Sequence, residues 1–570
     1  MIGINKLWTE EHQRVLETSQ DFVQRLQAPS ETASNHLEIF DPKIFDVAFR
    51  LYSRIYDSQF GGFGQAPKFP SSHNLSLLLR YFKRTGHNEA LKMVEQTLTQ
   101  MAQGGMYDQL GGGFHRYSTD RQWQIPHFEK MLYDQAILAR TYLEAYQITK
   151  NEFYANVAWE IFDYVLRDMT DPKGGFYSAE DADSLEPKDE GRKTKDHLKK
   201  EGAFYLWTYD EIQNILGDDT KIFNAYFGIK PNGNALSDPH GEFTGKNVLF
   251  VEKDIEKIAQ EFKLVLAQVK ETLKKSREKL FLVRSQRPRP HLDDKILVDW
   301  NGLIISSLAF GSRVLNEPQY CEAAQKSAQF ILKNLVDKEG RLLHRYRDGQ
   351  AAVHATIEDY AFFIQGLLDL YEATFELSYL KQAIHLADQM VDLFWDKKGR
   401  GFFFVGKNAE PLLYPQKEIY DGAIPSGNSI AALDLIRLYH FTLEDKWDQK
   451  SRELFQPFAS DILQNPVSYA QSLIALDFIA GPSQEIVIAG EARDKDVKEA
   501  VIKIFAHFLP HRVVLLHSQR SSEELSRIAP FTQDQKTLSG KTTLYVCENH
   551  MCQLPIQNIS ELDALLEKSQ

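Results

Sequence analysis

Cysteine is nearly absent from this chain. Cys321, Cys547 and Cys552 are its three cysteines in 570 residues, too few for a disulfide framework at this size. A reducing, cytoplasmic setting is therefore the default expectation. Long apolar runs are missing too: nothing approaches the roughly 18 residues of a membrane-spanning helix, so no membrane association is expected. The opening MIGINKLWTEEHQ has neither an apolar core nor a cleavage site, and no secretory leader is expected. Clustered positive charge is also lacking. The chain carries 66 basic and 79 acidic residues, a net charge of −13, and the basic run Lys193 to Lys200 is short and interrupted by acid. Tracking of nucleic-acid phosphates needs concentrated Lys and Arg, so that partner class is excluded and the run is a solvated loop.

Several catalytic signatures are missing as well. GGFGQAPKFP (Gly61 to Pro70) is glycine-rich but lacks the spacing of a phosphate-cradling loop. DADSLEPKDEGR (Asp181 to Arg192) begins like a calcium loop. It then places Glu186 where glycine is needed and Arg192 where a bidentate glutamate is needed. No HExxH, CxxC or GxSxG occurs, and Cys547-x4-Cys552 is neither a redox pair nor a complete zinc site. No metal and no cofactor is expected.

What the chain does contain is helix. Apolar periodicity predicts helices near 6–27, 44–57, 71–85, 88–103, 127–149, 151–169, 295–315, 317–336, 356–376, 378–394, 426–440, 445–463 and 467–479. Those from 44 onward pair across short polar breaks, the mark of antiparallel hairpins. Six hairpins closing on themselves make a mainly α (α/α)6 toroid, with a seam where the helix near 467–479 meets that near 44–57. Within it, the clusters Tyr133-Asp134-Gln135-Ala136, Asp299-Trp300-Asn301-Gly302, Glu358-Asp359-Tyr360-Ala361 and Ser426-Gly427-Asn428-Ser429 each precede a run that is apolar all round. Such helices belong to an inner ring. Their N-termini, with free N–H groups and a favourable dipole for acids, would form one wall of a pocket. Glycine–aromatic loops such as GGGFHRYS (Gly111 to Ser118) and GRGFFFVG (Gly399 to Gly406) would frame its mouth. About 170–290 interrupts the period as an insertion that includes a long helix at 253–279. From Gln484 the runs EIVIAG, RVVLLH and TTLYVC alternate with helices, a small C-terminal α/β module with a partly parallel sheet.

The aromatic share of 12% is somewhat high, and aromatics gathered at loop–helix junctions suit stacking on sugar rings. Two chemistries fit the clusters. In one, His127 and His354 face opposite sides of an open-chain sugar and move a proton at the carbon beside a carbonyl, with Trp300 and Tyr133 stacking on the substrate. In the other, a carboxylate pair drawn from Asp134, Asp359, Glu358 and Asp181 acts as acid and as base or nucleophile. His115, Asn301, Asp183, Asp421 and Asn428 complete the candidate substrate-binding wall.

GGFGQAPKFP and GGMYDQLGGGFHRYSTDRQWQIPHFEKMLYDQA (Gly104 to Ala136), with YSAEDADS, EGAFYLWTYDEI, DDKILVDWNGL, ATIEDYAFF, DGAIPSGNS and the late YVCENHMCQLP, resemble the spermatogenesis-associated protein 20 family. The likeness runs from about residue 6 to the end. It implies a thioredoxin-like domain followed by a six-hairpin glycosidase-like domain, a toroid that also resembles N-acylglucosamine 2-epimerases and several glycosidases. The expected layout is 1–30 as the remnant last helix of the thioredoxin-like domain, 40–482 as the toroid and 483–570 as the α/β module. No CxxC precedes the toroid, so the redox role implied by the family is not expected here. The resemblance implies a carbohydrate-active enzyme, with a sugar as small-molecule partner. The alternative is a non-catalytic sugar-binding or adaptor protein working with a separate thioredoxin-like partner.

Overall fold

The computed structural model describes residues 2–27, 38–185, 199–235, 241, 243–410, 412–549 and 551–568. The polar break Pro29 to Asn35, the calcium-like loop from Glu186 onward and most of the Lys193–Lys200 run lie outside the described residues.

Twelve helices form the ring, in chain order α1 (Lys43–Ile55), α2 (Ser72–Thr85), α3 (Asn88–Gln103), α4 (Leu132–Thr149), α5 (Glu152–Asp168), α6 (Val298–Val314), α7 (Pro318–Asn334), α8 (Ile357–Thr374), α9 (Leu377–Phe394), α10 (Gly427–Thr442), α11 (Asp445–Leu454) and α12 (Ala470–Ala480). The even-numbered helices are the inner ring: α2 packs on α4, α4 on α6, α6 on α8, α8 on α10, α10 on α12, and α12 closes back on α2. The odd-numbered helices stand outside. The chain is thus a mainly α toroid of six hairpins. The seam differs in detail from expectation, because the closing contact is made by α2, while α1 reaches the same segment through Tyr52 Oη, which donates to Val467 O at 3.0 Å.

Composition explains which helices go inside. In α8, sixteen of the eighteen residues from Ile357 to Ala373 and beyond are buried but for Glu358 and Thr374, a pattern that only a helix surrounded by others can satisfy. Small residues then set the spacing. A Cβ on Gly302 of α6 would lie 2.4 Å from the Phe362 carbonyl carbon of α8, and one on Gly366 of α8 would lie 2.8 Å from Gly302 O. The two backbones touch there, and side chains larger than hydrogen are sterically barred.

Five of the six inner helices are preceded by a recurring loop. Single antiparallel bridges close it at Tyr56–Phe63, Tyr107–Phe114, Thr170–Phe176, Val336–Leu342 and Trp395–Phe402. In three of them an amide near the start of the following inner helix brackets the second bridge residue. Gln135 accepts from Phe114 N at 2.8 Å and donates to Phe114 O at 2.7 Å. Asn301 does the same to Phe176 at 2.8 and 3.0 Å, and Asn428 to Phe402 at 2.8 and 2.9 Å. Tyr360 takes the equivalent place in α8, its Oη accepting from Leu342 N at 3.1 Å.

The insertion carries its own core around Trp207, Phe223, Phe227, Ile258 and Leu280. The single long helix expected at 253–279 is two, Ile255–Phe262 and Leu266–Arg284, separated where Lys263 takes a left-handed conformation (φ 54°). In the C-terminal sheet the strand Gln484–Ala489 runs parallel to Arg512–His517 and antiparallel to Thr543–Glu548. Cys547 and Cys552 face each other across neighbouring strands and form a disulfide. This sheet covers the C-terminal ends of the inner helices: Val514 N donates to Glu372 Oε1 at 2.9 Å, Gln147 Nε2 to Phe505 O at 2.6 Å, and His440 Nδ1 contacts Glu485 Oε1 at 2.6 Å. Among the described residues no helix is long and apolar enough to cross a membrane.

Replacing Gly302 by Ala is expected to lower the unfolding free energy by about 1–3 kcal/mol through overpacking, measured by urea denaturation. Unchanged stability would show that the α6–α8 contact yields without cost.

Candidate functional site

The N-terminal ends of α4, α6 and α8 lie side by side and carry a continuous polar and aromatic rim. Tyr133 and Trp300, second and third residues of their helices, meet edge to face at 4.9 Å between ring centroids. On the α4 side, Asp134 is buried and its Oδ2 makes no hydrogen bond among the described residues. Burial pushes its pKa well up, against the pull of Arg116. Arg116 Nη1 donates to Glu129 Oε2 at 2.9 Å. His127 lies stacked on Tyr117, with Nε2 3.7 Å from Glu129 and Nδ1 2.8 Å from Glu201. Those two carboxylates push its pKa up to about 9. His127 is therefore a cation at neutral pH, not the neutral base that a two-histidine proton exchange needs.

On the α6–α8 side, Asp359 is fully buried and heavily committed. It accepts from Asp299 N at 3.1 Å, from Thr356 N at 2.7 Å as part of a helix-capping box, and from His344 Nδ1 at 2.9 Å. Burial alone would lower the His344 pKa, but the bonded Asp359 carboxylate raises it overall. Asp299 is pushed well up, first by burial and then by the Asp359 charge. Glu358 is half-buried, and burial together with Asp359 raises its pKa to about 7. Donor atoms of Asp299, His344 and Asp359 lie within 4.8 Å of one another, so these three could hold a cation. His344 would then have to give up its bond to Asp359.

Several expected site residues fall elsewhere. His354 sits at the end of an edge strand, Gln350–His354, and is exposed; among the described residues its ring contacts Asn408 Nδ2 at 3.5 Å. Pairing of that strand with Leu343–Arg347 instead delivers His344 to the rim, so the histidine expected at 354 is replaced by one ten residues earlier. His115 is fully buried, its Nδ1 bonded to Phe128 O at 3.0 Å and its ring edge-on to Phe128 and Tyr205. Burial and neighbouring Lys130 keep it neutral. It supports the insertion and faces no opening. Asn301 and Asn428 use their amides as loop brackets; Asn301 also donates to Leu297 O and accepts from Ser327 Oγ, which leaves no capacity for a substrate. Asp421 is buried and accepts from Ser426 N at 3.0 Å and Gln471 N at 2.8 Å. It ties the starts of α10 and α12 together, and burial raises its pKa to about 7. Asp181 is half-exposed and 3.9 Å from Lys199. Asp183 is paired in register with Glu201, beside His127.

A second polar set lies deeper and was not anticipated. A cavity of about 110 Å³ runs along the ring axis toward the C-terminal sheet, and none of the rim residues lines it. Its walls include Arg80, Arg140, Asp369 and Arg437, charged groups that lie well inside their inner helices, more than two turns from the N-terminal ends. A charge inside an all-round apolar helix is the sequence signal that marks such positions.

Comparison with known proteins places the chain. No family model matches it. It is 38% identical to human spermatogenesis-associated protein 20 over 99% of its own length and 75% of the relative's. Against the mouse protein of the same name it is 37% identical over 98% and 74%, and against an uncharacterized Caenorhabditis elegans protein 33% over 99% and 78%. Among solved structures it is similar to a D-mannose isomerase (12% identity, 76% of this chain and 88% of that one, TM-score 0.47). It is also similar to the cellobiose 2-epimerase of Bacillus thermoamylovorans (11%, 81% and 99%, TM-score 0.46).

Folding raises the His127 pKa from 6.5 to about 9, so its ion pairs stabilise the protein fully below pH 6.5 and cease to do so as pH rises through about 9. Proton NMR of the His127 ring is expected to titrate near 9 in the wild type and markedly lower in Glu201→Gln. A midpoint at the ordinary histidine value would show that the ring is not held between the carboxylates.

Proposed function

The chain belongs to the spermatogenesis-associated protein 20 family, and within it we propose that the rim of α4, α6 and α8 is the active site of a carbohydrate-active enzyme working by acid–base chemistry. One observation carries the reading. Glu358 is a half-buried carboxyl whose pKa is raised to about 7, beside an anchored Asp359–His344 pair. A group poised near the working pH transfers protons best in either direction. The Tyr133–Trp300 pair supplies an aromatic surface at the same rim, the kind of surface on which the apolar face of a sugar ring packs.

Of the two chemistries considered, the carboxylate version fits the geometry better. The histidine pair proposed for proton exchange is split, with His127 held charged and His354 on an exposed strand. In the favoured version Glu358 gives its proton to the leaving oxygen as the glycosidic C–O bond breaks, and a water then adds to the anomeric carbon and returns a proton to Glu358. Asp359, fixed by its capping bonds and by His344, holds negative charge beside the positive charge that develops on the sugar ring. Isomerisation of a sugar through Glu358 as the proton carrier is the variant of the same site.

The test is turnover across a panel of aryl glycosides, oligosaccharides and free aldoses. Wild-type kcat/KM is expected to fall as pH rises through about 7, where Glu358 loses its proton. Glu358→Gln should lower kcat about 10²–10⁴-fold and abolish that limb, and Trp300→Ala should act chiefly on KM. His127→Ala should be far milder than Asp359→Asn. Sugar binding by calorimetry with no turnover of any substrate would overturn catalysis and favour the binding-protein alternative.

A further inference from the structure

The axial cavity has an unbalanced charge. Three acids and four arginines line it, and every oxygen of the acids is taken. Glu144 receives both terminal nitrogens of Arg80 at 2.9 Å. Asp369 Oδ2 accepts from Arg140 at 2.7 Å and from Ser306 Oγ at 2.5 Å, and its Oδ1 accepts from Arg437 at 2.7 Å. Glu372 accepts from Val514 N at 2.9 Å through Oε1 and from Arg437 at 3.2 Å through Oε2.

Arg512 is left over. It opens the strand Arg512–His517, enters the cavity from the C-terminal sheet and is 9% exposed. It stacks on Phe505, the guanidinium carbon 4.2 Å from the ring centroid. Among the described residues its guanidinium makes no hydrogen bond and no direct ion pair, Glu372 being its main attractive charge from beyond contact distance, and its Nε is buried without a partner. A buried, unpaired guanidinium is strongly unfavourable because it cannot shed its charge, and the usual resolution is a planar anion taken bidentately. Elsewhere on the same walls, His73 is buried with Nδ1 unpartnered and Ser72 Oγ is likewise unpartnered. Those atoms supply further hydrogen-bonding positions for neutral groups. Burial holds the His73 pKa down to about 4, so it adds no charge of its own.

We propose that the axial cavity is a binding site for a small oxyanion, a short carboxylate or a phosphate, whose charge is taken by Arg512. The space of about 110 Å³ suits a ligand of roughly five or six heavy atoms, judged against engineered apolar cavities of about 150 Å³ that hold benzene. The site is separate from the rim and does not depend on the rim being catalytic. It joins the C-terminal sheet to the ring, since the anion would sit between Arg512 and inner-helix side chains. An occupied site therefore stabilises the docking of the two.

Isothermal titration calorimetry of the full chain with inorganic phosphate and, separately, with L-lactate tests this. Saturable one-site binding of at least one probe is expected, and which probe binds assigns the head group. Arg512→Gln should weaken it roughly tenfold or more. Leu433→Phe, which keeps every charge and fills the void from α10, should weaken it too and covers the case in which the Arg512 variant does not fold. Circular dichroism checks each variant's fold. Absence of saturable binding of both probes to the wild type would overturn the proposal, as would unchanged affinity in a folded Arg512→Gln or Leu433→Phe protein.

Discussion

Helices α6, α8, α10 and α12 are buried on nearly every side and must be surrounded by others, and the closure of the inner ring that results governs the rest of the molecule. Closure brings backbones into contact where Gly302 and Gly366 meet, and it forces whatever polar groups the inner faces carry into a shared, water-poor axis. Such groups must pair or bind. Asp369 does this for two helices at once, accepting Arg140 from α4 and Arg437 from α10. The axial charges are thus part of what holds helices α4, α8 and α10 in register, and the ligand-accessible imbalance at Arg512 arises because the acids are already spent on that task.

The opposite end of each inner helix is organised by the loops that lead into it. A single bridge closes five of these loops, and in four of them an amide or phenol at the second or fourth position of the next inner helix pins it. This repeated bracket leaves the two preceding residues of the helix free to face the rim. Tyr133, Asp134, Asp299, Trp300, Glu358 and Asp359 are such residues. Structural and functional roles therefore alternate along four or five consecutive positions, with Asp359 partly in both, since it caps α8 while anchoring His344.

The same geometry explains the distribution of proton affinities. Asp57 gained both cations, Arg121 and Lys68, and N–H donors, those of Gln59 and Phe60, on folding, and it sits below its ordinary range despite burial. Asp134 and Glu358 gained neither, and burial raises them. Perturbed acids gathered at one mouth are the physical mark of a site able to handle protons, and their neighbours are fixed by backbone bonds that a substrate need not disturb.

Periodicity was enough to locate the ring helices and to place them in a mainly α toroid, because burial on all sides or on one stripe is written directly into residue order; it did not show where the long helix of the insertion breaks. The clusters at the inner-helix starts were legible for the same reason. What could not be read was which member of each cluster points where. Asn301 and Asn428 look like pocket residues until the loop backbone they bracket is in place. His354 and His344 are equivalent until strand pairing sends one to solvent and the other to Asp359. Cys547 and Cys552 become a disulfide only when two strands lie in register. Arg512 is an ordinary strand residue in sequence, and only the docking of the sheet against the ring leaves it buried without a partner. Local pattern decides how each segment folds; charge balance, exposure and proton affinity depend on contacts between segments tens to hundreds of residues apart, and these were decided by the tertiary structure.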